Sequence, residues 1–283
     1  MLHPNALNIV IPARNEEANI TTCLTALIEQ THPGPVRIVV IPNGCTDSTA
    51  AVVRSFLQRL PHNYSLVTSE LPTSSKAAAL NAGDRLTVPG HRIYLDADAV
   101  LSATALADMS ATLDAPNDIH LCAPARHIKY SRSWITRCYK DIWSSLPYIE
   151  GSVIFSGVYA VSIAGRSRWD TFPQLHSDDK FVRLHFAPDA CSTISTATST
   201  IRLPVGLRRL FSSRVRWCRG NIALRRAYPH LVAADQPRYR GIIRNLVSRT
   251  YTLPAALFFC ALHSSAFLWA HVRLRPDQHS WSR

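Results

Sequence analysis

The first part of the chain alternates short apolar runs with amphipathic stretches, and this alternation limits the fold more than any other feature of the sequence. A buried strand is predicted at residues 7–11, which Pro12 ends. A helix with Asn15 as its N-cap is predicted to follow and to stop before Pro33. Further strands are predicted at residues 36–41, 64–68 and 92–95, with helices between them. Such alternation over about 100 residues indicates right-handed β–α–β units around a mostly parallel sheet, which binds ligands beyond the carboxyl ends of its strands.

The pattern is less regular after residue 98. Helices are predicted at residues 102–113, 134–148 and 207–228, and a strand at residues 119–123. A length of 283 residues suits one large α/β domain, or such a domain with a short appendage. The expected fold is therefore α/β, with a mostly parallel central sheet flanked by helices and a helical C-terminal extension.

The charge of the chain limits its partners. Lys and Arg number 31 against 19 Asp and Glu, which gives a formal net charge of +12 and favours nucleotide phosphates, acidic lipids or nucleic acid. The basic residues are not interleaved with any base-reading motif, so no nucleic-acid partner is expected. The seven cysteines are scattered without a CxxC pair, and the N-terminus does not resemble a secretory signal. We therefore expect a cytoplasmic location.

An apolar stretch near the C-terminus, residues 252–272, has about the length that crosses a bilayer. The residues that interrupt it are Pro254, His263, Ser264 and Ser265. The arginines that flank it are Arg244, Arg249, Arg273 and Arg275. The sequence leaves open a spanning helix, a membrane-surface helix and a helix docked on the core. Peripheral contact with an anionic membrane, at its inner face, is expected.

Two carboxylates follow the fourth predicted strand, in the segment Ile93-Tyr94-Leu95-Asp96-Ala97-Asp98. Residues i and i+2 of an extended chain point the same way, so Asp96 and Asp98 are expected to converge on Mg²⁺ or Mn²⁺ that also holds phosphate oxygens. The alternative is a solvated loop or helix cap. The phosphate-binding patterns GxxxxGK[ST] and GxGxxG are absent from the sequence. A metal-held diphosphate is therefore the better interpretation.

Three further motifs precede this pair in order: IPARNEE at residues 11–17, IPNGCTDST at 41–49 and KAAALNAG at 76–83. Together they resemble glycosyltransferase family 2, the inverting enzymes of the GT-A fold. Pro42 and Asn43 stand where that family commonly has two aspartates. The resemblance implies that the first motif lines the nucleotide pocket and that Lys76 reaches a phosphate. The residues it implies for donor binding are Pro12, Ala13, Asn15, Glu16, Asn43, Lys76, Asp96 and Asp98.

Two later motifs extend the resemblance. Ser177-Asp178-Asp179 is similar to the T-E-D segment that carries the catalytic base of the family, and residues 213–217 are similar to Q-x-x-R-W with Ser213 in place of Gln. The resemblance implies that Asp179 is the base. It also implies substrate contacts for Asp178, Arg216 and Trp217. The alternatives are an acidic helix start for the two aspartates and a core position for the tryptophan.

The resemblance also implies a division of the chain. Residues 1–230 are expected to form the GT-A domain, with a Rossmann-like nucleotide-binding half at 1–100 and an acceptor-binding half at 101–230. Residues 231–283 are expected to form a basic and apolar helical extension. An aromatic group at residues 134–148 is either an acceptor pocket or core packing.

The function expected from the sequence is metal-dependent, inverting transfer of a sugar from a nucleoside diphosphate, with UDP favoured, to a hydroxyl group of a glycan or glycolipid. Two alternatives remain open: a degenerate sugar-nucleotide-binding scaffold of a membrane polysaccharide complex, and a sugar-phosphate nucleotidyltransferase. The positive charge also suggests a nucleic-acid binder, but no base-reading motif accompanies it. The nucleotidyltransferase would need a Gly-rich, Arg-containing loop after the first strand, where this chain has Pro12-Ala13-Arg14-Asn15.

Overall fold

A computed structural model describes residues 6–146, 148–234 and 253–272. The strands are β1 (Leu7–Ala13), β2 (Val36–Pro42), β3 (Tyr64–Thr68), β4 (Arg92–Leu95), β5 (Val100–Leu101), β6 (Leu121–Ile128), β7 (Val158–Val161) and β8 (Cys191–Ile201). The helices are α1 (Glu17–Ile28), α2 (Thr49–Ser55), α3 (Lys76–Arg85), α4 (Ala105–Asp114), α5 (Trp134–Ser144), α6 (Ile163–Arg166), α7 (Asp178–Arg183), α8 (Leu207–Ala227), α9 (Pro229–Ala234) and α10 (Leu253–Val272). The arginines predicted to flank α10 (Arg244, Arg249, Arg273 and Arg275) lie outside the described residues.

The strands described here form one eight-stranded sheet, in the order β3–β2–β1–β4–β7–β6–β8–β5. Strands β3, β2, β1 and β4 pair in parallel, as the first part of the sequence predicts. β7 pairs antiparallel with both β4 and β6, β8 pairs in parallel with β6, and β5 pairs antiparallel with β8. The two parts of the chain therefore share a single sheet, in which parallel pairs predominate.

Alternate residues of β1 explain why helices cover both faces of this sheet. Ile9 and Ile11 belong to the core that packs against α1, α2 and α4, whereas Val10 belongs to the core beneath α3 and α7. Neighbouring strand residues point to opposite faces, so a strand that is apolar throughout needs cover on both sides. The predicted α/β fold, with a central sheet between helices and a helical C-terminal part, is confirmed.

Two local predictions in the first loop are wrong. Pro12 does not end β1, which continues to Ala13, because the pairing of β1 with β4 stops at Val10 and the missing N–H of Pro12 costs that ladder no hydrogen bond. Asn15 does not cap α1. Glu16 occupies the N-cap position, while Asn15 adopts a left-handed conformation with φ of 53°.

The second part of the sheet departs most from the sequence patterns, which do not predict β5, β7 or β8. Strand β8 is rich in serine and threonine, and its buried apolar residues are Ile194 and Ala197. Without an apolar alternation, pairing with β6 determines its conformation rather than local sequence. Helix α5 is also shorter than predicted, since it ends at Ser144.

Candidate active site

A lysine joins two separate parts of the chain at the carboxyl edge of the sheet. The Nζ atom of Lys76 lies 2.8 Å from Oδ1 of Asp96 and 3.1 Å from Oδ1 of Asp178. Only 20% of the Lys76 side chain and 7% of the Asp178 side chain are exposed. Burial alone would lower the pKa of Lys76, but the charges of Asp178 and Asp96 outweigh it and raise that pKa above its usual value. Lys76 is therefore a cation held between carboxylates from distant parts of the sequence.

The start of α3 fixes the position of this lysine. Ser75 is the N-cap, and its Oγ atom accepts a hydrogen bond of 3.1 Å from the N–H of Ala78. The same hydroxyl lies 2.7 Å from Oε1 of Gln174, to which it donates. Lys76 is the first residue of the helix, so its side chain leaves the helix at the edge where β4 and α7 meet it. A short polar residue at position 75 thus serves both the helix and the site.

Asp96 and Asp98 follow the end of β4 in a turn. Their separation along an extended strand was the reason to expect convergence, and that reason is wrong, because the N–H of Ala99 bonds the carbonyl of Asp96 at 3.0 Å and closes the turn. The N–H of Asp96 is held by the carbonyl of Gly157 at 2.8 Å. Both aspartates are partly exposed at the edge of the sheet. A tight turn rather than strand pleating presents them to solvent.

Gly157 makes this close approach possible. Its φ is +71°, which favours glycine, and a Cβ atom there would lie 3.1 Å from both Ala99 and Ile201. Phe155, two residues earlier, is one of the described non-glycine residues with positive φ, at 69°. The segment before β7 is therefore shaped to place its backbone directly against Asp96.

Asp178 and Asp179 are the first two residues of α7. Burial raises the pKa of Asp178, against the charge of Lys76, which lowers it. Burial and then the negative charge of Asp178 raise the pKa of Asp179 to about 6, while Lys76 again acts in the opposite direction. Asp179 is thus a partly buried carboxyl group whose pKa lies close to neutral pH, as a general base requires.

Several hydrogen bonds tie the chain that precedes α7 to α3. Asn81 pairs with the backbone of Phe172 through both amide atoms, at 2.9 Å and 2.7 Å. Asp84 accepts hydrogen bonds from Arg166 at 2.8 Å and from Arg92 and Tyr94 at 3.0 Å and 2.8 Å. Asn81 and Asp84, which lie on the same helix as Lys76, thus hold the chain that leads to α7. These contacts fix the position of Asp178 relative to Lys76.

Helix α8 packs directly against the start of α7. A Cβ atom on Gly220 would lie 2.3 Å from Oγ of Ser177, so the two segments approach as closely as glycine allows. Arg216 is one helical turn before Gly220 and shares its face of α8. Trp217 instead packs against the cluster that α8 forms with α10, and the guanidinium of Arg214 lies 5.4 Å from its ring. Of the two α8 residues expected to bind substrate, Arg216 is thus the one on the face toward Ser177.

The predicted nucleotide-binding residues lie at the ends of β1 and β2. Pro12 and Ala13 are buried in the strand, and the fully buried Asn43 donates from its amide to the carbonyl groups of Ala13 and Ile41 at 3.1 Å and 3.2 Å. The side chain of Asn43 therefore holds the ends of the two strands together.

Asn15 and Glu16 tie the loop after β1 to the loop after β2. Oδ1 of Asn15 accepts from the N–H of Thr46 at 2.8 Å, and the N–H of Glu16 donates to Thr49 at 2.7 Å. Burial raises the pKa of the Cys23 thiol, and the charges of Asp98, Asp96 and Glu16 raise it further. The charges of Glu16 and of the aspartate pair thus act on the same thiol, whose Sγ lies 3.9 Å from the carbonyl oxygen of Asp96.

Tyr159 is a buried polar residue near Asp178 that sequence reasoning misses. It lies on β7 beside Tyr94 of β4, with ring centroids 5.1 Å apart. Its hydroxyl group is buried and has no hydrogen-bond partner among the described residues. Burial and then the charge of Asp178 hold its pKa well above the usual value. The available signal is the tyrosine in an otherwise apolar four-residue strand, but β7 itself is not predicted.

The carboxylate oxygens at the carboxyl edge of the sheet suit a small hard cation. Asp96 keeps one carboxylate oxygen beyond the one that faces Lys76, and Asp98 supplies a second carboxylate. Mg²⁺ and Mn²⁺ are commonly held by one or two carboxylates, with water and phosphate oxygens completing the shell. The described residues contain no cluster of three or more His, Cys, Asp or Glu side chains arranged to hold a metal. The residues therefore fit an ion that a bound diphosphate helps to hold.

The sequence matches the model of one protein family, "Glycosyl transferase family 2", over residues 8–165, more than half of the chain. The uncharacterized glycosyltransferase YibD of Escherichia coli K12 is 25% identical over 144 residues, which are 50% of this chain and 38% of that protein. The 4,4'-diaponeurosporenoate glycosyltransferase of Staphylococcus aureus MRSA252 is 49% identical over 51 residues, which are 18% of this chain and 13% of that protein. The matches span well under half the length of both curated relatives.

Solved structures share the fold over most of the chain. The mannosyltransferase PcManGT of Pyrobaculum calidifontis, in complex with GDP-Man and Mn²⁺, aligns with a TM-score of 0.64 and 20% identity over 96% of this chain and 87% of its own. TarS 1–349 of S. aureus, in complex with UDP-GlcNAc, aligns with a TM-score of 0.57 and 15% identity over 94% of this chain and 81% of its own. Glucosyl-3-phosphoglycerate synthase of Mycobacterium tuberculosis, in complex with UDP, aligns with a TM-score of 0.54 and 19% identity over 78% of this chain and 79% of its own. At these identities the likeness concerns the GT-A fold.

We expect Lys76→Met to lower the free energy of unfolding by about 3 kcal/mol at neutral pH, because it leaves buried Asp178 facing Asp96 without a cation. The loss should be smaller at about pH 5. Without Lys76 the pKa of Asp178 rises further above its unfolded value, so the folded protein takes up a proton as the pH falls and the repulsion disappears. Urea unfolding at the two pH values measures both effects.

Lys76→Arg keeps the charge and should recover most of the stability, whereas Lys140→Met removes a partly exposed lysine and should change little. An equal loss for Lys76→Met at both pH values would assign the effect to packing and contradict the electrostatic account.

Proposed function

The chain belongs to glycosyltransferase family 2, and we propose that it transfers a sugar from a nucleoside diphosphate to an acceptor hydroxyl group, with inversion at the anomeric carbon. The observation that carries this proposal is the pair of contacts made by Lys76. They bring Asp96, on the proposed donor side, to Asp178, the neighbour of the proposed base Asp179. A transferase of this kind needs its leaving-group site and its base within reach of one sugar.

The donor site of the proposal lies at the ends of β1, β2 and β4. Pro12, Ala13, Asn15, Glu16 and Asn43 shape the pocket for the nucleoside. UDP is the favoured nucleotide, and the complexes of TarS with UDP-GlcNAc and of the Mycobacterium tuberculosis synthase with UDP support it. The GDP-Man in the PcManGT complex keeps guanosine as the alternative that a binding screen should include.

Asp96 and Asp98 are the residues that would hold Mg²⁺ or Mn²⁺, and the Mn²⁺ in the PcManGT complex supports a divalent ion. When bound, such an ion neutralises the charge that builds on a departing diphosphate. Lys76 has three N–H donors, of which two face Asp96 and Asp178. Its third N–H is the group proposed to meet a phosphate oxygen.

The acceptor side of the proposal is built on α7 and α8. A pKa of about 6 leaves Asp179 mostly ionised at neutral pH, so it can take the proton of an acceptor hydroxyl as the oxygen attacks the anomeric carbon. Attack from the side opposite the diphosphate inverts the configuration. Asp178 and Arg216 are proposed to orient the acceptor. The position of Trp217 against α10 favours a supporting role over direct stacking on a sugar.

We propose a hydroxyl group of a glycan or glycolipid as the acceptor, in the synthesis of a cell-surface polysaccharide or glycolipid. A carboxylate base suits a neutral hydroxyl group, whereas an ionised phosphate needs no base. The reaction is placed in the cytoplasm, at the inner face of the membrane. The apolar helix α10 supports the membrane contact in this proposal, since it is long and apolar enough to interact with a bilayer.

Asp179→Asn should reduce the rate of sugar transfer by at least about 100-fold, because the amide cannot accept the proton of the acceptor. Binding of UDP with Mn²⁺ should stay within about twofold, since Asp179 lies on the acceptor side. Transfer assays and isothermal titration calorimetry measure the two quantities. The exposed Asp189→Asn is the matched control. Transfer by Asp179→Asn near the native rate would remove Asp179 from the role of base, and absence of transfer in the native chain would favour a binding scaffold.

Asp98→Ala should weaken Mn²⁺-dependent binding of the nucleoside diphosphate by about tenfold or more, because one of the two carboxylates that would hold the ion is lost. Without a divalent ion, the native chain and the variant should bind equally weakly. Calorimetric titrations with Mn²⁺ and with a chelator give this comparison, and Asp118→Ala removes an exposed acid as the control. Unchanged Mn²⁺-dependent binding by Asp98→Ala would contradict the assignment.

A further inference from the structure

Within the described residues, helix α10 packs against the rest of the protein along one face. Its buried residues are Phe259, Leu262, Ala266 and Ala270. The first two pack among aromatic and aliphatic residues of α5 and α8, where the ring of Tyr139 stacks 5.4 Å from that of Phe259. The two alanines pack against Val215 and Cys218 of α8. Small residues at that contact let the two helices approach closely, so α10 is docked along its length.

The opposite side of α10 is exposed and largely apolar, although Ser264, Ser265 and His271 are also exposed there. Leu257, Phe267, Leu268 and Val272 are 62%, 52%, 62% and 84% exposed, and Trp269 at the border is 45% exposed. The sequence of α10 contains no Asp, Glu, Lys or Arg. Only 22% of the residues in the apolar stretch within Pro254–Val272 are buried. Several large apolar side chains exposed along one helix mark an interaction surface rather than ordinary scatter of surface leucines.

More exposed apolar residues border the same docking site. Trp134 at the start of α5 is 65% exposed and Leu207 at the start of α8 is 50% exposed. Their neighbours Ile135 and Leu203 pack against the cluster that holds Phe259. The hydroxyl of Thr136 joins the two segments, through bonds of 3.1 Å to the backbone of Pro204 and of Gly206. The apolar surface is therefore wider than α10 alone.

The charge around this surface is mainly positive, although Asp141 of α5 is an exposed acid. Helix α8, against which α10 packs, has the sequence LRRLFSSRVRWCRGNIALRRA, with seven arginines and no acid. Residues 202–234 as a whole contain no Asp or Glu. Apolar side chains beside a helix of net positive charge suit a surface that offers acyl chains beneath anionic headgroups.

We propose that α10 lies parallel to the surface of an anionic lipid bilayer, with its outer apolar residues among the acyl chains, and does not cross the bilayer. A spanning arrangement would pull Phe259, Leu262, Ala266 and Ala270 away from α5 and α8 and expose the apolar cluster beneath them. An in-plane helix keeps that docked face and buries the other, about 5–10 Å into the headgroup region. This arrangement gives the membrane contact proposed above a defined surface. It does not depend on the roles proposed for the catalytic residues.

Vesicle binding of the full chain tests this proposal. Co-sedimentation should show strong binding to vesicles of phosphatidylcholine with about one third phosphatidylglycerol, and binding at least about tenfold weaker to phosphatidylcholine alone. The double variant Leu257→Glu/Leu268→Glu should lose at least about tenfold in affinity for the anionic vesicles, because charged groups cannot enter the acyl region. Leu57→Glu, at an exposed leucine of similar exposure (48%) away from α10, should bind as the native chain does.

Alkaline carbonate separates the two membrane arrangements. The in-plane helix predicts release of the vesicle-bound chain into the supernatant, and retention with the lipid pellet would overturn the proposal in favour of a spanning helix. Equal binding by Leu257→Glu/Leu268→Glu and the native chain would also overturn it. So would self-association of the native chain that this double variant abolishes, because the surface would then be occupied by a second copy. Asp179→Asn should bind vesicles like the native chain, which separates a failure here from a failure of the catalytic proposal.

Discussion

The ion pairs of Lys76 with Asp96 and Asp178 are the interaction on which the arrangement of the candidate site depends. Carboxylates from a turn after β4 and from the start of α7 would repel each other at the edge of the sheet, and burial would increase the cost. One ammonium group between them compensates for this repulsion. The same group lowers the pKa of Asp179 against the effects of burial and of Asp178, so the acidity of the proposed base depends on it.

The fold supplies the frame for this interaction. β4 brings Asp96 to the carboxyl edge, α3 brings Lys76 to the same edge, and β7 inserts antiparallel beside β4 with Gly157 against the aspartate turn. Asn81 and Asp84 bind the chain that leads to α7, so the helix that carries Lys76 also determines where Asp178 lies. The position of the proposed base thus depends on the contacts of Asn81 and Asp84, which lie one and two helical turns after Lys76 in α3.

Regular periodicity made the first part of the chain predictable. Its strands and helices follow from apolar spacing, and the strand at residues 92–95 agrees with the structure at both ends. Predictions from local sequence were wrong where tertiary contacts determine the conformation. Asn15 bonds Thr46 instead of capping α1, and the Ser- and Thr-rich β8 becomes a strand through its neighbour β6.

The candidate site was predictable as a set of residue types but not as an arrangement. The resemblance named Lys76, Asp96, Asp178 and Asp179, yet 82 residues separate Asp96 from Asp178 (178 − 96), and nothing in their spacing indicates a shared cation. The buried hydroxyl of Tyr159 depends on a strand that periodicity does not predict. The one-sided docking of α10 likewise requires knowledge of which helices it meets.

A crystal structure of the full chain with Mn²⁺ and UDP tests the central claim most directly. The account predicts an anomalous Mn²⁺ peak at the carboxylates of Asp96 and Asp98, a phosphate oxygen near Nζ of Lys76, and Asp179 on the open side of the diphosphate. Mn²⁺ bound elsewhere, or a diphosphate placed away from the edge that Lys76 and the two aspartates share, would contradict it.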